Sequence, residues 1–281
     1  AHLLADKGLN MPAPLTLAWL RWQGRGTSYK AGDYEWVSPA APLTVLDMLK
    51  EGKVATRKFT LIEGSNWWAL KAQLDQAPDL VNDVAAMSDA ELMDLLGKDA
   101  PSPEGLFLPD TYFYNKGSKA SLLLKQAAAA MDAALEKHWA KRHAQSPLKS
   151  PYELLIKASL VEKETGDPKD RAMVASVFDN RLRIGMRLQT DPTVMYGVSP
   201  DFSGRILKRH LTTDTPFNTY TRAGLPPTPI AMPGQAALKA AAQPAKSNAL
   251  FFVSRGDGTS QFSRTLDEHN AAVQTYILNK P

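Results

Sequence analysis

Residues 154–165 read Leu154-Leu155-Ile156-Lys157-Ala158-Ser159-Leu160-Val161-Glu162-Lys163-Glu164-Thr165, a helix pattern that is mostly apolar yet carries two carboxylates. A helix apolar around most of its circumference is buried. A carboxylate buried with it is costly unless it is paired or kept protonated. A carboxyl protonated near neutral pH can serve as a general acid. Asn180-Arg181-Leu182 and Gln189-Thr190-Asp191-Pro192-Thr193 follow, and polar groups so concentrated beside a buried acid point to a catalytic site. Spacing restricts what the two carboxylates can do. Two apart on a helix, Glu162 and Glu164 point about 200° away from each other. They are therefore no acid/base pair across one substrate, and only one can face a given cleft. Spacing does not choose which; the other reads as a solvated or salt-bridged helix Glu, with Lys157 or Lys163 as partner.

Other polar residues carry weaker signals. Asp191, ahead of Pro192, suits an N-cap or a turn equally well as a functional site. Asn180 and Arg181, near a helix end, also suit local capping or pairing. Phe217-Asn218-Thr219-Tyr220 lies between Pro216 and the turn Gly224-Leu225-Pro226-Pro227. Its amide and hydroxyl groups on irregular backbone suit ligands rich in hydroxyl and acetamido groups.

Composition removes several alternatives. The chain has no cysteine, which excludes a disulfide framework, a cysteine nucleophile and thiolate metal sites. Its five histidines, His2, His138, His143, His210 and His269, are scattered without ligand spacing, so no metal site is expected. A net charge of +4 from 33 basic and 29 acidic side chains is too balanced to argue for nucleic acid. The local cluster Arg171, Arg181, Arg183 and Arg187 reads as a solvated helix face. No run approaches the roughly 18 apolar residues that span a bilayer. The chain starts at Ala1-His2-Leu3-Leu4 without methionine, which raises the expectation of a signal or anchor removed ahead of it.

The elements that must position the candidate residues can be read in order. With 281 residues there is room for two domains or one large one. Residues 1–60 read as a small α/β unit: a helix from Leu15 to Trp22, a strand at Tyr34-Glu35-Trp36-Val37, a helix from Thr44 (as N-cap) to Glu51 ended by Gly52, and a strand at Lys58–Ile62. Glu63-Gly64-Ser65-Asn66 opens a helix through Trp67, Trp68 and Leu70. Ser88-Asp89-Ala90-Glu91 is a capping box for the helix 92–96, ended by Gly97. Residues 101–109 read as loop, and 118–142 as a long helix. The acid-bearing helix starts with Ser150 as N-cap, Pro151 at N1 and Glu153 at N3. A further helix runs from Asp170 to Ile184, with Gly185 as its stop. The stretch to about 265 reads as loop-rich with short strands such as Leu250-Phe251-Phe252-Val253, and a closing helix covers Asp267–Leu278.

Several of these segments, in this order, resemble the YceG-like family. They are Ser159–Thr165, Val177-Phe178-Asp179-Asn180-Arg181-Leu182, Gly185-Met186-Arg187-Leu188-Gln189-Thr190-Asp191-Pro192-Thr193-Val194, and Asn218-Thr219-Tyr220. Glu63-Gly64, Glu104-Gly105 with Asp110-Thr111-Tyr112, Gly224-Leu225-Pro226-Pro227 and His269-Asn270 match too. The resemblance implies an α+β protein: a small LysM-like α/β module, residues 1–60, followed by a mixed α/β catalytic domain, residues 61–281. It implies a lytic transglycosylase that cuts the β-1,4 bond between N-acetylmuramic acid and N-acetylglucosamine in nascent peptidoglycan, leaves 1,6-anhydro ends and so ends strand elongation. It implies Glu164 as the catalytic residue, with Glu162 structural. Gln189, Asp191, Tyr196, Asn218 and Tyr220 are placed around the cleft as binding and orienting groups. No metal or organic cofactor is needed. The expected partners are glycan strands, with the arginines near 171–187 meeting stem-peptide carboxylates, and, without any signal in these residues, peptidoglycan synthases. The expected location is the inner membrane, through one N-terminal helix absent from this chain, with the body in the periplasm. A muramidase using Asp191 to activate water, and a non-catalytic peptidoglycan-binding scaffold, are the competing readings. Two positions depart from the pattern: Thr228, where a Gly usually follows Leu-Pro-Pro, and Ser260, where many members carry a His.

Overall fold

The computed structural model describes residues 12, 14, 15, 18, 29, 30, 32–199, 202 and 204–278. The expected helix from Leu15 to Trp22 falls almost wholly outside them. The chain divides into two compact units. One contains the residues up to Phe59 together with 77–81 and 113–119; the other contains 60–76, 82–112 and the remainder from Ala120.

In the first unit, helix α1 (Pro42–Glu51) begins one turn earlier than Thr44 would suggest. Pro42 occupies the first helical position, where its missing N–H and fixed φ cost nothing, and Ala41 is the N-cap. Gly52 ends the helix at φ 73°, a left-handed conformation that glycine adopts without steric penalty. Val45 and Leu46 are buried, with Trp36 and Leu49 packed against the small cluster that Val45 forms with Ala40. Residues 34–37, expected as a strand, run irregularly. Alternation alone does not make a strand without a neighbour to pair with; Tyr34 instead donates its hydroxyl to the Lys30 carbonyl at 2.7 Å. Arg57 holds both Glu35 (2.7 Å) and Asp79 (3.1 Å). Strand β1 (Thr56–Thr60) pairs with β2 (Thr111–Asn115) in a two-stranded sheet. The expected strand–helix–strand order is thus a helix followed by one strand, whose partner comes from far along the chain.

The second unit is mainly helical: α2 (Trp67–Gln76), α3 (Asp89–Leu96), α4 (Ala120–Ala140), α5 (Pro151–Glu164), α6 (Arg171–Arg183), α7 (Asp191–Val198), α8 (Lys208–Thr212), α9 (Gln235–Ala242), the hairpin β3 (Phe251–Ser254) and β4 (Ser260–Ser263), α10 (Leu266–Val273) and a π-helical turn (Gln274–Leu278). Helix α5 is its axis. Ser150 accepts the Glu153 N–H at 3.2 Å and Pro151 sits in the first turn, as its sequence requires. Every residue from Leu154 to Val161 is buried. Helix α9 packs on α5, α6 and α4, and its alanines let the backbones approach closely. Leu154, Leu155 and Ala158 meet Leu238, Ala241 and Ala242 on one side, while Leu160, Val161, Val174 and Phe178 join Leu188 and Ile230 on the other.

Lys157 lies in the middle of this packing. It pairs with Asp179 and donates to the Ala241 carbonyl at 3.0 Å, so it serves neither Glu162 nor Glu164. Burial pulls its ammonium down to about 8 against the attraction of Asp179. Removing one member of such a pair strands an uncompensated charge.

Helices α7, α8 and α9 occupy sequence that reads as loop. The hairpin pairs Phe251 with Ser263 and Ser254 with Ser260 in antiparallel register. Thr265 and Glu268 form a capping box that starts α10. Among the described residues no helix is long and apolar enough to cross a membrane.

Candidate active site

The two carboxylates of α5 part company as the helix geometry demands. Glu162 turns into the protein, where one oxygen accepts the Gly234 N–H at 2.9 Å and the other faces Arg171 at 3.5 Å. Burial raises its carboxyl, and Glu63 adds to this. A Cβ at Gly234 would lie 1.8 Å from Glu63 Oε1, so a side chain there would displace the Glu63 carboxylate.

Glu164, the last residue of α5, faces a cleft of about 350 Å³ that Arg181, Gln189, Asp191 and Tyr220 also line. It accepts a hydrogen bond from the Thr190 hydroxyl. Burial pushes its carboxyl up to about 7 and Asp191 adds to this, while the Thr190 bond and Arg181 oppose it. A large fraction of Glu164 therefore carries its proton at neutral pH.

The loop facing Glu164 is held from three directions. Arg181 is buried; it donates to the carbonyls of Leu188 (2.6 Å) and Arg187 (3.3 Å), and through Nε to Leu250 (2.7 Å). One guanidinium thus ties the loop before Gln189 to the start of the hairpin. Gln189 itself has φ 50°. A non-glycine residue in the left-handed region costs about 1–2 kcal/mol and persists only where its surroundings enforce it. Here the Gln189 N–H donates to the Thr219 carbonyl (3.2 Å) and the Thr190 N–H to the Thr219 hydroxyl (3.0 Å). Thr193 closes the set, donating to the Thr190 carbonyl at 2.7 Å and lying 2.8 Å from the Thr219 hydroxyl.

Asp191 is the first residue of α7, with Thr190 as N-cap, where the helix dipole favours a negative charge. The Tyr220 hydroxyl donates to Asp191 Oδ1 at 2.6 Å. Burial and that carboxylate together raise the phenol. Arg187 fixes Tyr220 through its carbonyl at 3.0 Å.

Of the residues that the sequence nominates, Glu164, Gln189, Asp191 and Tyr220 line one cleft; Tyr196 and Asn218 do not. Tyr196 donates its hydroxyl to Glu104 at 3.0 Å. Glu104 is fully buried, accepts the Trp67 N–H at 3.0–3.1 Å, and is pushed up to about 7 by that burial. Asn218 is buried and spends its amide on the carbonyls of His210, Leu211 and Thr213 (3.2, 3.2 and 2.6 Å), while its oxygen accepts the Tyr220 N–H at 2.9 Å. It shapes the loop that presents Thr219 and Tyr220. Of the arginines, Arg171 and Arg181 are occupied within the protein rather than forming a solvated face.

Phe251, Phe252, Leu266 and His269 complete the cleft wall; reasoning from residue types gave them no site role. Only His269 carried a signal, as part of a matching segment. A larger cavity of about 560 Å³, lined by Gln145, Asn180, Arg183 and Lys246 among others, has no carboxylate in its wall, so size alone does not locate the chemistry. Among the described residues no group of three or more His, Cys, Asp or Glu is arranged to hold a metal ion.

The sequence matches the YceG-like family over residues 1–275. An endolytic murein transglycosylase of Bacillus subtilis (strain 168) is 37% identical over 194 residues, 68% of this chain and 53% of that protein. One from Streptococcus pneumoniae serotype 2 (strain D39) is 30% identical over 182 residues, 63% of this chain and 33% of that protein. The chain thus spans about half or less of the length of these curated relatives. The fold is similar to the crystal structure of a YceG-like protein from Listeria monocytogenes, with a TM-score of 0.64 and 30% identity, covering 95% of this chain and 92% of that one.

Proposed function

The chain belongs to the YceG-like family, and from that premise we propose that it is a lytic transglycosylase of peptidoglycan with Glu164 as its single acid/base. The observation that carries this reading is one carboxyl, pushed up to about 7, at the end of a buried helix and open to a polar cleft. In the proposed reaction Glu164 gives its proton to the glycosidic oxygen between N-acetylmuramic acid and N-acetylglucosamine as that bond breaks. The carboxylate left behind then takes the proton of the muramyl C6 hydroxyl. That oxygen bonds to the anomeric carbon and closes a 1,6-anhydro ring. Glu164 ends protonated, no water is consumed, and no second carboxylate is required, in contrast to paired-acid glycosidases.

The other groups of the cleft fit this scheme. Asp191 and Tyr220 brace each other where positive charge develops at the anomeric carbon. Gln189 offers an amide at the cleft wall. The relatives named as murein transglycosylases support the substrate class. In the same reading the strands cut are nascent ones, so cleavage ends elongation beside peptidoglycan synthases. Residues 1–60 serve as a LysM-like glycan-binding module. The protein works in the periplasm, tethered to the inner membrane by one N-terminal helix.

Asp191 supports one competing reading, since it lines the same cleft: a muramidase in which it activates water. Mass spectrometry of products from uncross-linked glycan strands separates the two. Anhydromuramyl ends from the wild type, absent with Glu164→Gln, are expected. Reducing ends would make the enzyme a hydrolase. Cleavage persisting in Glu164→Gln would move the catalytic role elsewhere, and no cleavage by either protein would leave a scaffold.

A further inference from the structure

His269 lines the Glu164 cleft, yet the reaction as written gives it no part. It stands on α10 three residues after Leu266, so the two share a helix face, and both reach the cleft. Packing fixes its ring. The imidazole is stacked on Phe251 with centroids 5.3 Å apart and planes 26° from parallel. The Arg181 guanidinium lies 5.3 Å from the centroid of the same phenyl ring.

The two ring nitrogens are not equivalent. Nδ1 is sealed from solvent and has no hydrogen-bond partner, so Nε2 is the nitrogen through which the ring can meet a ligand. The ring is held neutral, because burial disfavours the imidazolium and Arg181 repels it. A neutral imidazole has one N–H. A sealed N–H without an acceptor is rarer in folded proteins, and costlier, than a sealed lone pair. The proton therefore belongs on Nε2. His269 then presents a single, rigidly aimed donor to a cleft that already holds the proposed acid.

We propose that His269 is a substrate-binding residue that donates a hydrogen bond from Nε2 to the carbonyl oxygen of a 2-acetamido group on the bound glycan. This rests on the glycan reading above. The acetamido carbonyl is chosen because it only accepts, whereas sugar hydroxyls both donate and accept. A lone fixed N–H thus selects for N-acetylated sugars.

The test measures binding of uncross-linked glycan strands to Glu164→Gln protein, which holds substrate without turning it over, with and without a second change. His269→Phe keeps a ring on Phe251 and removes the donor. His269→Gln loses the ring but returns an amide N–H close to the position of Nε2. His269→Phe is expected to weaken binding about tenfold, the size of one hydrogen bond, and His269→Gln to stay within about threefold of the Glu164→Gln reference. On strands stripped of their N-acetyl groups the difference between reference and His269→Phe is expected to vanish. Binding by His269→Phe equal to the reference would overturn the proposal, as would His269→Gln binding as weakly as His269→Phe. A penalty equally large on deacetylated strands would overturn the assignment to the acetamido carbonyl. If the reference binds no strand and the wild type cuts none, the glycan reading itself fails, a result distinct from a silent His269→Phe. Independently of any variant's folding, ¹⁵N NMR of the wild type is expected to show His269 as the Nε2–H tautomer; an Nδ1–H tautomer would overturn the proposal.

Discussion

Glu104 and Glu164 are two carboxyls pushed up to about 7 for the same reason, burial, and they differ in what surrounds them. Glu104 has no exposure and its oxygens are filled by the Trp67 N–H and the Tyr196 hydroxyl. It joins the start of α2 to the side of α7 and has no free edge for a ligand. Glu164 receives one side-chain bond, from Thr190, and looks onto the cleft. A raised carboxyl alone therefore does not mark a site for chemistry; a ligand can reach only one that keeps an open side. The protein uses one buried acid as an internal tie and leaves the other available for proton transfer.

The contrast is sharpest in activity. Replacing Glu164 by Gln removes the proposed proton donor, and strand cleavage is expected to fall by at least about 10³-fold, with thermal unfolding close to that of the wild type. Product counting by mass spectrometry and a melting curve check both halves. If Glu104→Gln abolished cleavage as fully while the protein stayed folded, the division of roles would break.

Stability is expected to reverse the order. Glu104→Ala leaves the Trp67 N–H and the Tyr196 hydroxyl buried without an acceptor and opens a void. At about 1–3 kcal/mol for each stranded group, a loss of about 4 kcal/mol is expected in denaturant unfolding, whereas Glu164→Ala, facing the cleft, costs about 1 kcal/mol or less.

pH treats the two carboxyls alike in sign. Both have a folded value near 7 and an ordinary carboxylate value when unfolded. The folded state therefore binds more protons between about 4.5 and 7, and stability is greatest below that window and is lost as pH rises through it. Glu104 is sealed and is expected to supply about 3 kcal/mol of this difference; Glu164, open to the cleft, supplies less. Unfolding free energies at pH 5 and pH 8 for Glu104→Gln and Glu164→Gln test this, and a slope unchanged by Glu104→Gln would show that burial does not raise its carboxyl.

The smallest effect concerns the one bond that tempers Glu164. Thr190 donates to it and favours the charged form. Thr190→Val is expected to move the alkaline fall of the rate to higher pH. Activity at pH 8 would then rise a few-fold relative to that at pH 6. A shift to lower pH would mean that Thr190 acts on Glu164 through loop position instead.

How much of this was legible depended on how local the decisive interaction is. Ser88 with Glu91, Ser150 with Glu153, and Gly52 and Gly97 mark helix ends through contacts within a few residues, and those ends lie where the sequence indicated. Asp191 ahead of Pro192 suits an N-cap or a turn, and in the structure α7 starts there, since in a first turn proline is harmless. Helix α9 has no side-chain cap bond and is mostly alanine; packing against α5 defines it, and residues far away in sequence supply that packing. Strand β2, between the stretch read as loop and the long helix, was not legible because its partner, β1, lies about fifty residues earlier.

The sequence by itself determined that a buried helix carries two acids facing different ways, that an amide- and hydroxyl-bearing loop follows, and that thiol chemistry has no residue to run on. Helical periodicity and residue type are local properties, so they could be read along the chain. Only the tertiary structure decided what the two faces of α5 meet: Gly234 and Arg171 for Glu162, an open cleft for Glu164. It also took Tyr196 and Asn218 out of that cleft and brought His269 in. Burial and hydrogen-bond partners, which set a carboxyl's proton affinity and its access to a ligand, come from segments distant in sequence, and spacing along one helix cannot report them.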